Sequence, residues 1–246
     1  LAGAAAGAII AGLALYVLAR IPHRTAAEIV PHPHVTGVWT GLSYAYIVEH
    51  DQRVVLIDAG SAPAARALTE VLQRHGRQPS DVEAVLITHG HRDHWAGLSR
   101  FARAHVYVGE ADHLLVRGDK LPRALLPRLH ARLVANPPRH PAVHDVLPGS
   151  LLHVGGMQFE VIAVPGHTDG SLMYRYEDWL FSGDSLLLDG TEVNTAPWFL
   201  SDHVATNRHT LARLQGIAFA GLCDGHVGCA ADGRLRYERW LAAQRR

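Results

Sequence analysis

Short apolar runs that end in polar or glycine-rich clusters recur along most of the chain. Runs rich in β-branched residues and bounded by turn-forming residues are typical of buried strands. We therefore predict strands over residues 42–48, 54–58, 82–87, 105–108, 151–154, 157–164, 171–176, 179–182 and 217–222. Apolar residues three to four apart predict helices after Ser61, from Trp95 to Phe101, from Asp202 to Leu214 and from Leu235. This alternation indicates sheets flanked by helices, an α/β (α+β) fold class.

The first nineteen residues differ from the rest of the chain, because they contain no charge and no proline. As a helix they would reach about 28 Å, close to the thickness of a bilayer core. The pattern favours a single-pass transmembrane anchor over residues 1–20, with membrane contact through residues 1–19. A cleaved signal peptide and a soluble alanine-rich helix are the alternatives. Arg20 and Arg24 follow the apolar stretch and weakly favour the cytoplasm for that side of the membrane.

Prolines divide the segment that follows the apolar stretch. Pro22, Pro31 and Pro33 would interrupt a helix, so we interpret residues 21–34 as a linker. The remaining residues, 35–246, suffice for one domain with a sizeable core.

Residues 111–150 form the most individual stretch of this domain. Four leucines at intervals of four residues predict a helical stripe, although Pro127 should break one helix into two short ones. We interpret the stretch as a helical insertion that either packs against the domain or forms a lid over a substrate cleft. The leucines are Leu121, Leu125, Leu129 and Leu133.

The charge balance bears on possible partners, and the cysteine content bears on possible disulfides. The 23 basic and 23 acidic residues balance, so no electrostatic footprint for nucleic acid exists and no nucleic-acid partner is predicted. The two cysteines, Cys223 and Cys229, do not imply a disulfide framework. They could bond in an oxidising compartment, but we expect two free thiols. Composition leaves the oligomeric state open.

The densest cluster of metal-ligand residue types directly follows the predicted strand over 82–87. The residues from Thr88 to His94 read Thr-His-Gly-His-Arg-Asp-His. In an extended chain His89 and His91 point to the same side, which suits a single metal ion. Asp93 and His94 could converge on a second point only in a turn or in the first turn of a helix. The alternative is a histidine-rich turn without a ligand.

Three further residues of ligand type stand at the ends of later apolar runs. His167, Asp184 and His226 each lie next to a glycine, which lets the backbone approach a metal closely. Ligand types at so many strand ends would be unusual as core packing. We therefore predict that these residues converge with the 89–94 loop in one metal site.

These motifs occur in the same order as in the metallo-β-lactamase superfamily, which the chain resembles over roughly residues 35–240. The shared stretches include Val-Val-Leu-Ile-Asp-Ala-Gly at 54–60, Gly-His-Thr-x-Gly-Ser from Gly166 and Ser-Gly-Asp-Ser from Ser182. The resemblance implies a four-layer αββα sandwich with two divalent metal ions at the sheet edges. It implies that His89, His91 and His167 bind one ion, that Asp93, His94 and His226 bind the other, that Asp184 bridges them, and that Asp58 supports the metal loop from beneath.

The resemblance also implies a reaction. Zinc suits a set of nitrogen and oxygen ligands, with iron or manganese as alternatives. A metal-activated hydroxide would attack the carbonyl of a small-molecule ester, thioester or lactone, with Asp93 as the catalytic residue that orients it. The alternatives are an iron-dependent sulfur dioxygenase, a β-lactamase or a phosphodiesterase of the same superfamily, and a structural membrane protein that binds metal.

Two features bear on the substrate. The ligand set is similar to that of glyoxalase II, but only twenty residues follow His226, where that family carries a helical domain for glutathione. Glutathione thioesters are therefore not expected. Four aromatic residues could line a pocket, but we expect core packing for each of them: Tyr44, Tyr46, Trp198 and Phe199.

Overall fold

The first half of the domain forms a seven-stranded sheet. The computed structural model describes residues 28–245. Each strand of this sheet pairs with its neighbour in sequence. The first pairs are antiparallel, and the last three are parallel and therefore need crossover connections. The strands are β1 (Glu28–His32), β2 (Val35–Trp39), β3 (Tyr44–His50), β4 (Arg53–Ile57), β5 (Val82–Leu86), β6 (His105–Gly109) and β7 (Val143–Val146).

The second half forms a six-stranded sheet and a separate two-stranded hairpin. The strands are β8 (Leu151–Val154), β9 (Met157–Ala163), β10 (Leu172–Tyr176), β11 (Trp179–Phe181), β12 (Leu187–Asp189), β13 (Glu192–Asn194), β14 (Gly221–Cys223) and β15 (Cys229–Ala230). The order in the sheet is β15-β14-β11-β10-β9-β8, and β12 pairs with β13 alone. The parallel contact of β11 with β14 places their carboxyl ends side by side.

Helices connect and cover the sheets. The first of them buries the apolar stripe predicted after Ser61, with Leu68, Val71 and Leu72 facing inward. The helices are α1 (Arg66–Arg74), α2 (Arg92–Trp95), α3 (His113–Val116), α4 (Leu125–Leu133), α5 (Val204–Leu211) and α6 (Gly233–Gln244). The helix predicted from Trp95 to Phe101 is instead α2 followed by a short 3₁₀ turn over Leu98–Phe101.

Alternation of side chains along the strands creates three apolar layers. On β3, Ile47 faces α1, whereas Tyr46 faces the second sheet. On β10, Tyr174 lies between the sheets, whereas Met173 faces the outer helices with Tyr237 of α6. The layers therefore follow the order helix, sheet, sheet, helix, which agrees with the expected αββα sandwich.

The amino-terminal boundary of the domain differs from the prediction. Residues Glu28–His32, interpreted as linker, pair with β2 as an edge strand. Pro31 does not prevent this, because an edge strand needs hydrogen bonds on one side only. Among residues 28–245, no helix is long and apolar enough to span a bilayer. The anchor predicted over residues 1–20 and the first part of the linker lie outside the described residues.

The 111–150 segment is only partly helical. Pro127 does not divide it, because this residue lies in the first turn of α4, where the backbone N–H has no helical partner to lose. The segment also supplies β7, which the hydrophobic pattern did not predict. The strand predicted over 217–222 is confined to Gly221–Cys223.

Candidate metal centre

The residues of ligand type lie together at one edge of the two sheets. His89 and His91 follow β5, and α2 begins directly after His91, so that Asp93 and His94 lie in its first turn. His167 follows β9, Asp184 follows β11, and His226 lies between β14 and β15. Gly183 and Gly166 adopt positive φ angles of 51° and 136° beside two of them, which only glycine does readily.

Three buried histidines form the first group. The Nε2 atom of His167 lies 3.2 Å from Nε2 of His89 and 3.0 Å from Nδ1 of His91. Burial lowers the pKa of all three rings, that of His91 to about 4. Three neutral imidazoles with nitrogen atoms at this spacing suit a cation between them.

The second group contains Asp93, His94 and His226. Oδ2 of Asp93 lies 3.6 Å from Nε2 of His94 and 3.7 Å from Nε2 of His226. Asp184 lies between the two groups, since its Oδ2 is 2.8 Å from Nε2 of His226 and 3.6 Å from Nε2 of His167. Its Oδ1 lies 3.3 Å from Nε2 of His94. One carboxylate therefore faces both groups.

Carboxylates set the charge of the second group. Burial alone would lower the pKa of His94 and His226, but Asp184 and Asp93 outweigh it and raise both, that of His226 to about 9. Burial would likewise raise the pKa of Asp184, yet His226 and His94 hold it well below its usual range. Negative and positive groups thus compensate each other within the second group.

Hydrogen bonds to the outer ring nitrogens determine which nitrogen faces the centre. Nδ1 of His94 donates to Asp58 at 2.8 Å, and Nδ1 of His226 donates to the carbonyl of Leu42 at 2.8 Å. Nδ1 of His89 lies 3.1 Å from the Thr88 hydroxyl, and Nδ1 of His167 lies 3.2 Å from the Ser201 hydroxyl. Each of these four rings therefore turns its Nε2 atom toward the centre, the orientation that a metal requires.

Asp58 lies beneath the 89–94 loop and hydrogen-bonds to it. This buried residue has a positive φ of 60°. Its carboxylate accepts hydrogen bonds from the Thr88 backbone N–H at 2.8 Å and the Thr88 hydroxyl, as well as from His94. Burial raises the pKa of Asp58, and the nearby His94 opposes this shift.

The unsatisfied polar atoms of the site fit a metal. Within residues 28–245, Nε2 of His94 and Oδ1 of Asp184 are buried and have no hydrogen-bond partner. Such atoms are costly to bury unless something else binds them. Three sets of donor atoms each lie within 4.8 Å of one another, namely His89, His91 and His167; His89, His94 and Asp184; and Asp93, His94 and His226.

All seven candidate ligands therefore meet, with Asp58 beneath them. Sequence reasoning missed Ser201, which orients His167, and the buried carboxylates of Asp112 and Asp224. Asp224 stands two residues before His226, a proximity that could have drawn attention to it. Asp112 follows β6 without any comparable signal.

The expectation of two free thiols is wrong. Cys223 and Cys229 form a disulfide, with Cα atoms 4.1 Å apart. They are directly opposite each other in the antiparallel pair of β14 and β15. The pairing register brings them together, and spacing along the chain could not reveal it. The bond closes the loop that carries His226.

Comparison with known proteins identifies the family. The family model of the Metallo-beta-lactamase superfamily matches residues 38–220, well over half of the chain. The chain belongs to the metallo-beta-lactamase superfamily.

Similar sequences in this superfamily include named hydrolases. Identity is 28% over 159 residues to a hydroxyacylglutathione hydrolase of Aeromonas hydrophila, covering 65% of this chain and 52% of that protein. Identity to the acyl-coenzyme A thioesterase MBLAC2 of Gallus gallus is 33% over 212 residues, covering 77% and 74%. The chain thus spans about half the length of the first relative.

Solved structures of the superfamily have the same fold. A metallo-beta-lactamase family protein from Thermus thermophilus superposes with a TM-score of 0.63 and 25% identity, over 89% of this chain and 78% of its own. The Rm3 metallo-beta-lactamase superposes with a TM-score of 0.69 and 19% identity, over 93% and 94%. The second likeness concerns the fold alone.

Proposed function

We propose that the protein is a dinuclear metal-dependent hydrolase of acyl thioesters. The observation that carries the proposal is the convergence of five histidines and two aspartates from separate loops, whose donor atoms form three overlapping groups with all atoms of a group within 4.8 Å of one another. A histidine-rich turn or a packed core would not align ring nitrogens in this way.

The donor atoms suggest which residues hold each ion. His89, His91 and His167 would hold one cation, Asp93, His94 and His226 the other, and Asp184 would contact both. Imidazole nitrogen and carboxylate oxygen suit zinc, with iron and manganese as alternatives. A pair of divalent cations lowers the pKa of bound water and polarises a carbonyl group.

Asp93 is the catalytic residue of this proposal. Its side chain is 20% exposed, whereas His94 beside it is buried, so Asp93 can accept a hydrogen bond from water at the open side of the site. Ser43 donates to the backbone carbonyl of Asp93 at 2.6 Å, which holds the first turn of α2 in place. The carboxylate is thereby oriented to position an attacking water.

The choice of a thioester rests on similarity. Both named relatives, a hydroxyacylglutathione hydrolase and an acyl-coenzyme A thioesterase, have names that specify thioester substrates. The site itself would serve an ester or a lactone as well, because all three present a carbonyl carbon to the nucleophile.

Metal analysis combined with a substrate panel tests the proposal. Purified protein should contain close to two equivalents of metal and should hydrolyse a thioester such as an acyl-coenzyme A faster than a lactone or a phosphodiester. His91→Ala should lose metal and lower kcat/KM at least about 100-fold, since losing even a group that only orients a ligand costs about 10–100-fold.

The matched control is His105→Ala. His105 is an exposed histidine on β6 that contacts His144 rather than the centre, so its replacement should change neither metal content nor activity. Full activity in metal-free His91→Ala protein would refute the proposal.

A further inference from the structure

Asp112 is a fully buried carboxylate that joins two loops of the candidate metal centre. Its Oδ2 accepts hydrogen bonds from the Gly90 backbone N–H at 2.7 Å and from the Thr168 hydroxyl, and its Oδ1 accepts one from the Gly170 backbone N–H at 3.0 Å. Gly90 lies between His89 and His91, and Thr168 directly follows His167. One side chain thus connects both loops that supply the first histidine group.

Packing around Asp112 is tight enough to fix its position. A Cβ atom on Gly90 would lie 3.1 Å from Cγ of Asp112 and 2.7 Å from Cβ of Leu115. A Cβ atom on Gly170 would lie 2.7 Å from the same Cγ. Both loops can approach the carboxylate only because these two residues lack side chains.

Asp224 has the corresponding place beneath the second group. It is fully buried, and its Oδ1 accepts hydrogen bonds from the backbone N–H groups of His226 at 2.8 Å and Gly228 at 3.1 Å, with Val227 contributing a third. Its Oδ2 accepts one from the Leu188 backbone N–H at 2.6 Å. The carboxylate therefore shapes the loop that presents His226.

We propose that Asp112 and Asp224 are positioning residues, each for a different half of the metal centre. Asp112 aligns His89, His91 and His167, and Asp224 aligns His226. The inference rests on the proposed function, because it takes these histidines as metal ligands.

The loops around Asp112 and Asp224 depend on the negative charge of these two carboxylates. The hydrogen-bond partners of both carboxylates are backbone N–H groups, with the Thr168 hydroxyl as a further donor to Asp112, so a carboxylate can accept from all of them. An asparagine of the same shape would turn its NH₂ group toward backbone N–H groups and leave them without an acceptor. The apolar layers of the domain would be unchanged by this substitution.

Histidine ring resonances can report the two halves separately. Metal-free protein labelled with ¹⁵N-histidine is titrated with zinc, and ring nitrogen shifts are followed by NMR. In Asp112→Asn the zinc dissociation constant reported by His89, His91 and His167 should rise about 10–100-fold, and that reported by His226 should change less than about threefold. Asp224→Asn should show the reverse pattern.

Two further variants complete the test. Thr168→Val keeps the side-chain shape and removes the hydroxyl that donates to Asp112, so it should shift the first group in the same direction by a smaller factor. Asp145→Asn is the control, because this exposed carboxylate on β7 pairs with His113 and should change neither group.

The outcomes are distinct. Equal weakening of both groups in both aspartate variants, or weakening in neither, would overturn the assignment of Asp112 and Asp224 while leaving the proposed function intact. A wild-type titration in which no histidine ring responds would overturn the metal centre itself and the assignment with it.

Discussion

The buried Asp58 carboxylate contacts both the backbone just after β5 and one imidazole ring of the candidate metal centre. It accepts a hydrogen bond from Thr88, just beyond the end of β5, and another from Nδ1 of His94. The inward direction of the His94 Nε2 atom therefore depends on one side chain at the end of the neighbouring strand β4. At the residue scale, the orientation of each imidazole ring depends on the hydrogen-bond partner of its outer nitrogen.

We predict that Asp58→Asn weakens zinc binding about 10–100-fold, since the amide would set an NH₂ group against donors of Thr88 or His94. Asparagine tolerates the positive φ of 60° at this position, so the backbone should persist. Competition with a chromophoric chelator measures the affinity.

The control is Asp51→Asn, at an exposed position with a φ of 54° in the turn between β3 and β4. This variant should bind zinc like the wild type. Wild-type affinity in Asp58→Asn would contradict the role assigned to that carboxylate.

At the scale of elements, the β14–β15 pair is a very short hairpin, although it holds the loop that carries His226. Two residues of β15 return the chain after the His226 loop, and the Cys223–Cys229 disulfide closes that loop. Few ladder hydrogen bonds hold such a hairpin, so the covalent bond supplies a constraint that pairing alone would not.

Removal of this disulfide should therefore destabilise the protein. For a loop of this length, the chain-entropy model predicts a loss of about 2 kcal/mol in the free energy of unfolding. Urea unfolding of metal-free wild type and of the Cys223→Ser, Cys229→Ser double variant measures the difference. Two titratable thiols in protein purified without reductant, or equal midpoints for the two proteins, would contradict the prediction.

At the scale of the whole molecule, the 111–150 segment contacts the second half of the domain beside the first histidine group. The Leu126 backbone N–H donates to the Phe199 carbonyl at 3.1 Å, and Arg123 lies 3.3 Å from Asp169. The turn over 197–202 that it contacts also binds His167, because the Asp202 N–H donates to the His167 carbonyl at 2.9 Å. The helix α4 itself has no buried residue.

Trp198 stands in this turn and is 66% exposed, so the expectation of core packing for it is wrong. Phe199, by contrast, is buried as expected. Leu125, at the start of α4, is also exposed, and the Leu126–Phe199 hydrogen bond joins its helix to the turn that carries Trp198. Exposed apolar side chains on these two segments would suit the acyl chain of the proposed thioester substrate.

We predict that Trp198→Ala lowers kcat/KM for long-chain acyl thioesters about tenfold and leaves short-chain ones nearly unchanged, because about 1.4 kcal/mol of apolar contact corresponds to that factor. A chain-length series of acyl-coenzyme A substrates measures the effect. Leu151→Ala, an exposed apolar residue of the β8 edge strand, serves as the control. A loss that is equal for all chain lengths would contradict the prediction.

Much of the site could be predicted because the ends of buried strands can be recognised in a sequence. Apolar runs identify buried strands, and His89, His167 and Asp184 closely follow such runs. Their order along the chain then identified the family. Asp112 and Ser201 could not be found this way, because what they do depends on loops from distant parts of the chain.

The sequence by itself determined most of the strands, the residues of ligand type and the family, since these depend on local hydrophobic pattern and on the order of motifs. Only the tertiary structure decided the Cys223–Cys229 disulfide, the edge strand over Glu28–His32 and the exposure of Trp198. Each of these depends on pairing register or on contacts between segments far apart in the chain.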